Sequence, residues 1–195
     1  MKYFNSLLIC ISILLLTSCG KESSQWNYDY YCNFSLDLQY HPTSKLATIR
    51  ENANRFVIVR DTTISKIRTL VCTANDGTKD KIQLTTDAEL YRLKGMGASR
   101  GIIIGCLFGA DATSDAAYSY IAYDDQCPVC VKTDNTWHAH LQFGTTYNTV
   151  VCPHCGRTYS LTTASSTDGN RLITYGAGIE YSGSQIMLYA HNGGS

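Results

Sequence analysis

The sequence predicts an all-β domain of antiparallel strands, and three observations carry that prediction. The chain has 14 tyrosines in 195 residues and many threonines, side chains that suit a pleated, half-buried surface. Apolar and polar residues alternate over short stretches, whereas sustained helical periodicity is scarce. Fifteen glycines and three prolines fit a turn-rich β domain better than a helical one.

The elements follow in chain order. Phe34, Leu36 and Leu38 alternate with polar residues, as in a strand with one buried face. Leu46–Ile49 and Phe56–Arg60 read as strands, and Ile64–Thr73 as another that ends at the Asp76-Gly77 turn signal. Thr86 and Glu89 have the spacing of a capping box, which predicts one short helix carrying Leu90, Tyr91 and Leu93. The glycine-rich run from Gly95 to Gly101 has no phosphate-loop lysine and no helix after it, so it reads as a sharp connection. It leads into an apolar strand over residues 102–108. Tyr118–Tyr123 forms the next strand, and Trp137–Phe143 pairs with Thr149–Val151. Leu172–Tyr175 and Ile186–Tyr189 close the domain, with Ser182-Gly183-Ser184 as a turn. The earlier strands belong either to the same domain or to a small lobe beside it.

Two cysteine pairs carry the chemistry. Cys127-Pro128-Val129-Cys130 and Cys152-Pro153-His154-Cys155 are both C-x-x-C, with 21 residues between them. Two such turns brought together offer four sulfurs to one tetrahedral ion, a strong signal for Zn²⁺ with thiolates at about 2.3 Å. Gly156 follows the second pair and permits a tight turn that aims backbone N–H groups at the sulfurs. Both turns are expected at hairpin tips, in a zinc-ribbon-like subdomain over about residues 124–161. The same residues also allow two disulfides or four free thiols.

The first twenty residues carry an export signal. A basic start precedes the apolar run Leu7–Leu16, which at ten residues is far short of the roughly 20 a membrane-spanning helix needs. Leu16-Thr17-Ser18-Cys19 then has lipobox form and resembles lipoprotein precursors, in which the leader is cut before the cysteine and that sulfur takes a lipid. The expected organisation is a signal peptide over 1–18, a lipidated tether over 19–31 and a β domain over 32–195. Cys19 would be the membrane anchor. Gly20 rather than aspartate after it favours the outer membrane of the cell envelope. Export also places the chain in an oxidising compartment. Cys32 and Cys72 could pair there, and Cys106, in an apolar run, reads as a buried inert thiol.

Several function classes are disfavoured. Sixteen basic and sixteen acidic residues leave no basic excess, which argues against nucleic acid as a partner. No G-x-S-x-G, no H-E-x-x-H and no convincing nucleophile–base set is present. His138 and His140 share a strand face without an evident third ligand and read as an exposed polar face. Asp124 and Asp125 are expected to accept bonds from turn N–H groups. Tyr28, Tyr30, Tyr31, Tyr118, Tyr120, Tyr123 and Tyr159 either fill a sheet face or floor a glycan or peptide site.

About 75 residues, from Gly101 to Tyr175, resemble the Rieske-like iron–sulfur fold. The likeness runs through Gly101-Ile102-Ile103-Ile104-Gly105, Ala122-Tyr123-Asp124-Asp125-Gln126-Cys127-Pro128, Cys152-Pro153-His154-Cys155-Gly156, Gly169 and Leu172–Tyr175. It is greatest to Bacteroidetes lipoproteins whose Rieske-like domains carry cysteine pairs. The resemblance implies a Rieske-like antiparallel β-sandwich with metal held at Cys127, Cys130, Cys152 and Cys155. It does not carry the usual cofactor across. A Rieske centre holds one iron through two histidines. Here Val129 and Cys155 occupy the positions of those histidines, and His154 is one place out of register. Four thiolates suit zinc first, then a single iron, then an all-cysteine [2Fe–2S] cluster. The expected role is a structural zinc in an envelope binding or assembly protein with an unidentified envelope partner. Electron transfer and a metal-free, disulfide-stapled protein are the alternatives.

Overall fold

The computed structural model describes residues 30–50, 52–108, 118–135 and 139–192. The leader, Cys19, most of the tether and His138 lie outside them.

The expected all-β class is what forms. The strands are β1 (Cys32–Asp37), β2 (Phe56–Ile64), β3 (Ile67–Ala74), β4 (Lys79–Gln83), β5 (Gly95–Met96), β6 (Gly101–Phe108) and β7 (Tyr118–Asp124). After the cysteine region begins come β8 (Gln142–Phe143), β9 (Thr149–Val151), β10 (Thr158–Ser160), β11 (Ser165–Ser166), β12 (Thr174–Ser182) and β13 (Gln185–His191). Among the described residues there are two short α-helices, α1 (Asp87–Arg92) and α2 (Pro128–Asp134). Nine strands form one sheet in the order β4-β3-β2-β6-β7-β12-β13-β1-β5, and a second sheet runs β11-β10-β9-β8. Every pairing is antiparallel. The early strands β1–β4 therefore share the large sheet with the later ones.

The two-residue period of a strand sorts the side chains into two cores. Ile102, Ile104 and Cys106 of β6 enter one core with Val57 and Val59 of β2 and Ala122 of β7. Phe34 and Leu36 of β1 join the same core although β1 lies far along the sheet order, so the large sheet curls to enclose it. Phe56, Ile58, Ile103 and Tyr123 point to the opposite face and meet the small sheet in a second core. Both faces of β6 are thus covered, which explains its almost unbroken apolar run. The cysteine pairs belong to the second core.

Four strand expectations need correction. Of Trp137–Phe143, residues 137 and 138 lie outside the described residues and only Gln142–Phe143 forms a strand, because 139–141 bonds instead to the segment before the first cysteine. Leu46–Ile49 is not a strand: residues 47–50 form a 3₁₀ turn, with Ile49 N–H donating to the Leu46 carbonyl at 3.3 Å. Leu46 and Ile49, three apart, are eclipsed in such a turn and both are buried. The strand expected from Ile64 begins only at Ile67, because Ser65 and Lys66 both take left-handed φ (51° and 69°) and make a tight hairpin turn. The last-but-one strand starts at Thr174 and continues to Ser182, its alternation diluted by Gly176 and Gly178. The capping box forms as expected: Thr86 Oγ1 accepts from Glu89 N–H and Glu89 Oε2 accepts from Thr86 N–H, each at 3.2 Å.

Candidate metal centre

The site is assembled by a rigid segment at the end of β7. Asp124 is fully buried and its carboxylate accepts from Ala98 N–H (2.8 Å), Gln126 N–H (2.8 Å) and the Tyr175 hydroxyl (2.6 Å). The expectation that it bonds turn N–H groups therefore holds. Burial pushes its pKa up to about 6, against the pull of these three donors. Asp125, also fully buried, uses its side chain differently. It takes the Arg60 guanidinium at 2.6 Å and faces the His140 ring Nδ1 at 2.9 Å. Its carbonyl accepts from Leu141 N–H at 2.6 Å, and Ala139 carbonyl accepts from Cys127 N–H at 3.0 Å. These bonds seat the strand before the first cysteine against the 139–141 segment.

The first cysteine pair is not at a hairpin tip. Cys127 is the N-cap of α2, Pro128 takes the first helical position, and Cys130 lies in the first turn. Proline is suited there, since its missing N–H would have no intrahelical partner. Asn135 closes the helix in left-handed conformation, φ 50°. The second pair does form the expected tight turn after β9. Cys152 N–H donates to Arg157 carbonyl and Gly156 N–H to Cys152 carbonyl, both at 2.8 Å, with Gly156 at φ +72°. Backbone N–H groups of Cys155 and His154 bond the Cys152 sulfur, and that of Arg157 bonds the Cys155 sulfur. This is the sulfur-directed turn that a glycine after the motif permits.

The two pairs come together. All four sulfurs lie within 4.8 Å of one another, with Cys127 Sγ 3.8 Å from Cys155 Sγ and Cys130 Sγ 3.6 Å from Cys152 Sγ. A tetrahedron with zinc–sulfur arms of about 2.3 Å has edges of about 3.8 Å. A disulfide needs about 2.05 Å, and the described cysteines are all free thiols. The four residues form a cluster able to hold a metal ion. Cys127, Cys130 and Cys152 are fully buried, while Cys155 reaches the surface.

The surroundings grade Cys130, Cys152 and Cys155. Burial and the neighbouring thiols raise the pKa of Cys130. Burial also raises Cys152, with the turn N–H groups pulling the other way. Burial acts against the Cys155 thiolate too, but the Arg157 N–H, the Cys130 and Cys152 thiols and the Arg157 side chain bring it down to about 7. Arg157 is itself oriented by Asp168, its Nε 2.6 Å from Oδ2.

Sequence reasoning missed the groups around the sulfurs. Tyr159, fully buried, places its hydroxyl 3.4 Å from Cys127 Sγ, and the His154 ring Nδ1 is 3.4 Å from Cys130 Sγ. Tyr159 and His154 could have been suspected from their closeness to the second motif. Arg60 could not, and His140, expected on an exposed polar strand face, instead lies half-buried against Asp125 outside any strand, because only the tertiary fold brings both to that carboxylate. The remaining described cysteines stand apart: Cys32, Cys72 and Cys106 lie in the first core. Burial pushes Cys32 up to about 12 and Cys106 up to about 11, so neither ionises readily. No family model, curated protein or solved structure matches this chain.

Proposed function

We propose that Cys127, Cys130, Cys152 and Cys155 hold one zinc ion that ties α2 to the turn after β9, in a lipid-anchored protein of the cell envelope. The observation that carries this reading is the spacing of the sulfurs, 3.6 and 3.8 Å, which suits the edges of a single ZnS₄ tetrahedron. A [2Fe–2S] cluster instead sets its terminal sulfurs apart in two pairs across the bridging sulfides. Four protein ligands leave no open coordination position, so the ion serves structure and not hydrolysis. The protein then acts by binding or assembly at the envelope, with an envelope protein as its partner. The Rieske-like resemblance is part of the same proposal, and it concerns architecture rather than the histidine-ligated cluster. Anchoring at Cys19, in the outer membrane, rests on the lipobox and the short apolar leader.

A second reading, a single redox-active iron, draws on a different observation. Cys155 reaches the surface, and the hydroxyl of Tyr159 and several N–H groups bond the sulfurs, features that tune and expose an electron-transfer centre. Elemental analysis of the 20–195 fragment purified from the periplasm, read beside its visible spectrum, separates the two. One colourless zinc per chain supports the structural site. Iron with thiolate charge-transfer absorbance replaces it with an electron carrier, and absence of metal with oxidised cysteines defeats both. Replacing Cys19 with serine should abolish lipid labelling and release the protein from membranes.

A further inference from the structure

A groove of about 380 Å³ lies where the small sheet meets the large one, at the opposite end of β9 from Cys152. Its walls come from Thr48, Asn52, Asn54, Arg55, Asn75 and Asp76 on the large-sheet side and Tyr147 from the loop between β8 and β9. Its size is within the range of small-molecule sites, about 300–1,000 Å³. We infer that this groove binds a neutral saccharide, with the Tyr147 ring against the sugar's apolar face and the amide and charged side chains on its hydroxyls.

The chemistry of the lining selects that class. Three asparagines, a threonine and an Arg–Asp pair set polar groups among apolar stretches of Ala53 and Tyr147, the mixed surface that a sugar matches with its hydroxyl edges and C–H faces. Arg55 Nη1 is 2.7 Å from Asp76 Oδ2, so among the described lining residues the charges cancel and favour neither an anion nor a cation. Such a pair offers donors and acceptors side by side, as adjacent sugar hydroxyls require. Tyr147 is the one aromatic side chain among the described lining residues, and at 69% exposure its ring is open to a ligand in the groove. The polar wall is held in place before any ligand arrives. Asn75 donates to the Asn54 carbonyl at 2.9 Å, Asn52 to the Thr48 carbonyl at 3.2 Å, and Asn148 to the Asn54 side chain at 3.3 Å. Arg55 Nε also donates to Thr48 Oγ1 at 3.3 Å. Asn54 itself is in left-handed conformation, φ 59°, which turns the chain into the groove wall. Fixed polar groups lose little freedom on binding, the condition under which weak individual contacts add up.

The test uses the full chain as purified and three neutral probes: maltotriose, cellotriose and chitotriose. Saturation-transfer NMR and calorimetry read binding. At least one probe should bind with a dissociation constant of about 1 mM or tighter. Tyr147→Ala, an exposed change that leaves the fold intact, should weaken it roughly tenfold. Tyr91→Ala, equally exposed on α1, should leave it unchanged, and metal content should be the same in all three proteins. Failure of all three probes to bind overturns the inference, as does binding that Tyr147→Ala leaves intact. Neither result bears on the metal proposal, which elemental analysis tests separately.

Discussion

Gly97→Ala should be among the most damaging single changes outside the cysteines, and its effect can be worked from the structure. Gly97 has φ +71°, and a Cβ built on it would lie 2.1 Å from Asp124 Oδ2 and 3.0 Å from the Tyr175 hydroxyl. The left-handed backbone alone costs a non-glycine residue about 1 kcal/mol. The contact costs more, because the Asp124 carboxylate has nowhere to go in a fully buried site. Moving it breaks or stretches the bonds from Ala98 N–H (2.8 Å) and Tyr175 (2.6 Å). Hydrogen bonds to a charged acceptor contribute about 1.5–3 kcal/mol each, so the expected total is about 4 kcal/mol. Gly77 supplies the control. It has φ +83° with nothing within 4 Å of the added Cβ, so Gly77→Ala should lose only the backbone term, about 1 kcal/mol.

The assay is urea denaturation of both variants, comparing midpoints at unchanged slope. A Tyr175→Phe background removes one of the two bonds in advance, so Gly97→Ala should cost about 1.5 kcal/mol less there. If Gly97→Ala and Gly77→Ala lose the same stability, the packing of the glycine loop on Asp124 is not what holds the segment before Cys127. The reasoning would then fail. Metal content is a second readout, since Asp124 stands three residues before the first sulfur.

Tyr159→Phe keeps the buried ring and removes only the hydroxyl beside Cys127 Sγ; metal affinity measured by competition with a chelating dye should fall about tenfold, with far-ultraviolet circular dichroism unchanged. Chelation of the holo protein should raise amide hydrogen exchange across residues 124–161 while β2 and β6 stay protected, and uniform protection throughout would show that the cluster does not tie these elements together. Burial raises the folded pKa of Asp124 to about 6 from an unfolded value of 3.8, so folding binds a proton between these pH values. Its contribution is therefore most favourable below about pH 4, declines by up to roughly 3 kcal/mol as pH rises to about 6, and is constant above; Asp124→Asn should flatten that slope in stability measured against pH.

How much of this was legible follows from the range of the forces involved. The sulfur set was readable because each pair is fixed by a three-residue spacing, and only one long-range event, the meeting of two pairs, had to be supposed. The strand at β6 was readable because burial on both faces writes a continuous apolar run. The helix at the first motif was not readable from a strand-centred pattern. Its signals were Pro128 at the first position and a left-handed Asn135 at the end, and neither is decisive alone. Ser65 and Lys66 make a hairpin turn without the glycine or asparagine that would announce it. Leu46 and Ile49 are buried through a 3₁₀ turn, whose three-residue repeat is easily confused with a short apolar strand. Arg60 and His140 reach Asp125 only once β2 and the 139–141 segment are folded against each other.

The arrangement also explains why a metal would matter more here than in an open loop. The second core packs Phe56, Ile58, Ile103 and Tyr123 from the large sheet against Leu141, Val150, Tyr159 and Leu161, and three of the four cysteines are buried within it. Without an ion, that core contains clustered thiols whose ionisation burial mostly opposes. A bound cation would convert them into a cross-link between α2 and the turn after β9, two elements that the sheets do not otherwise join by strand pairing. The small sheet, whose strands are only two or three residues long, has little hydrogen bonding of its own to hold that geometry. Its stability should therefore depend on metal more steeply than that of the nine-stranded sheet, whose first core contains none of the four ligands.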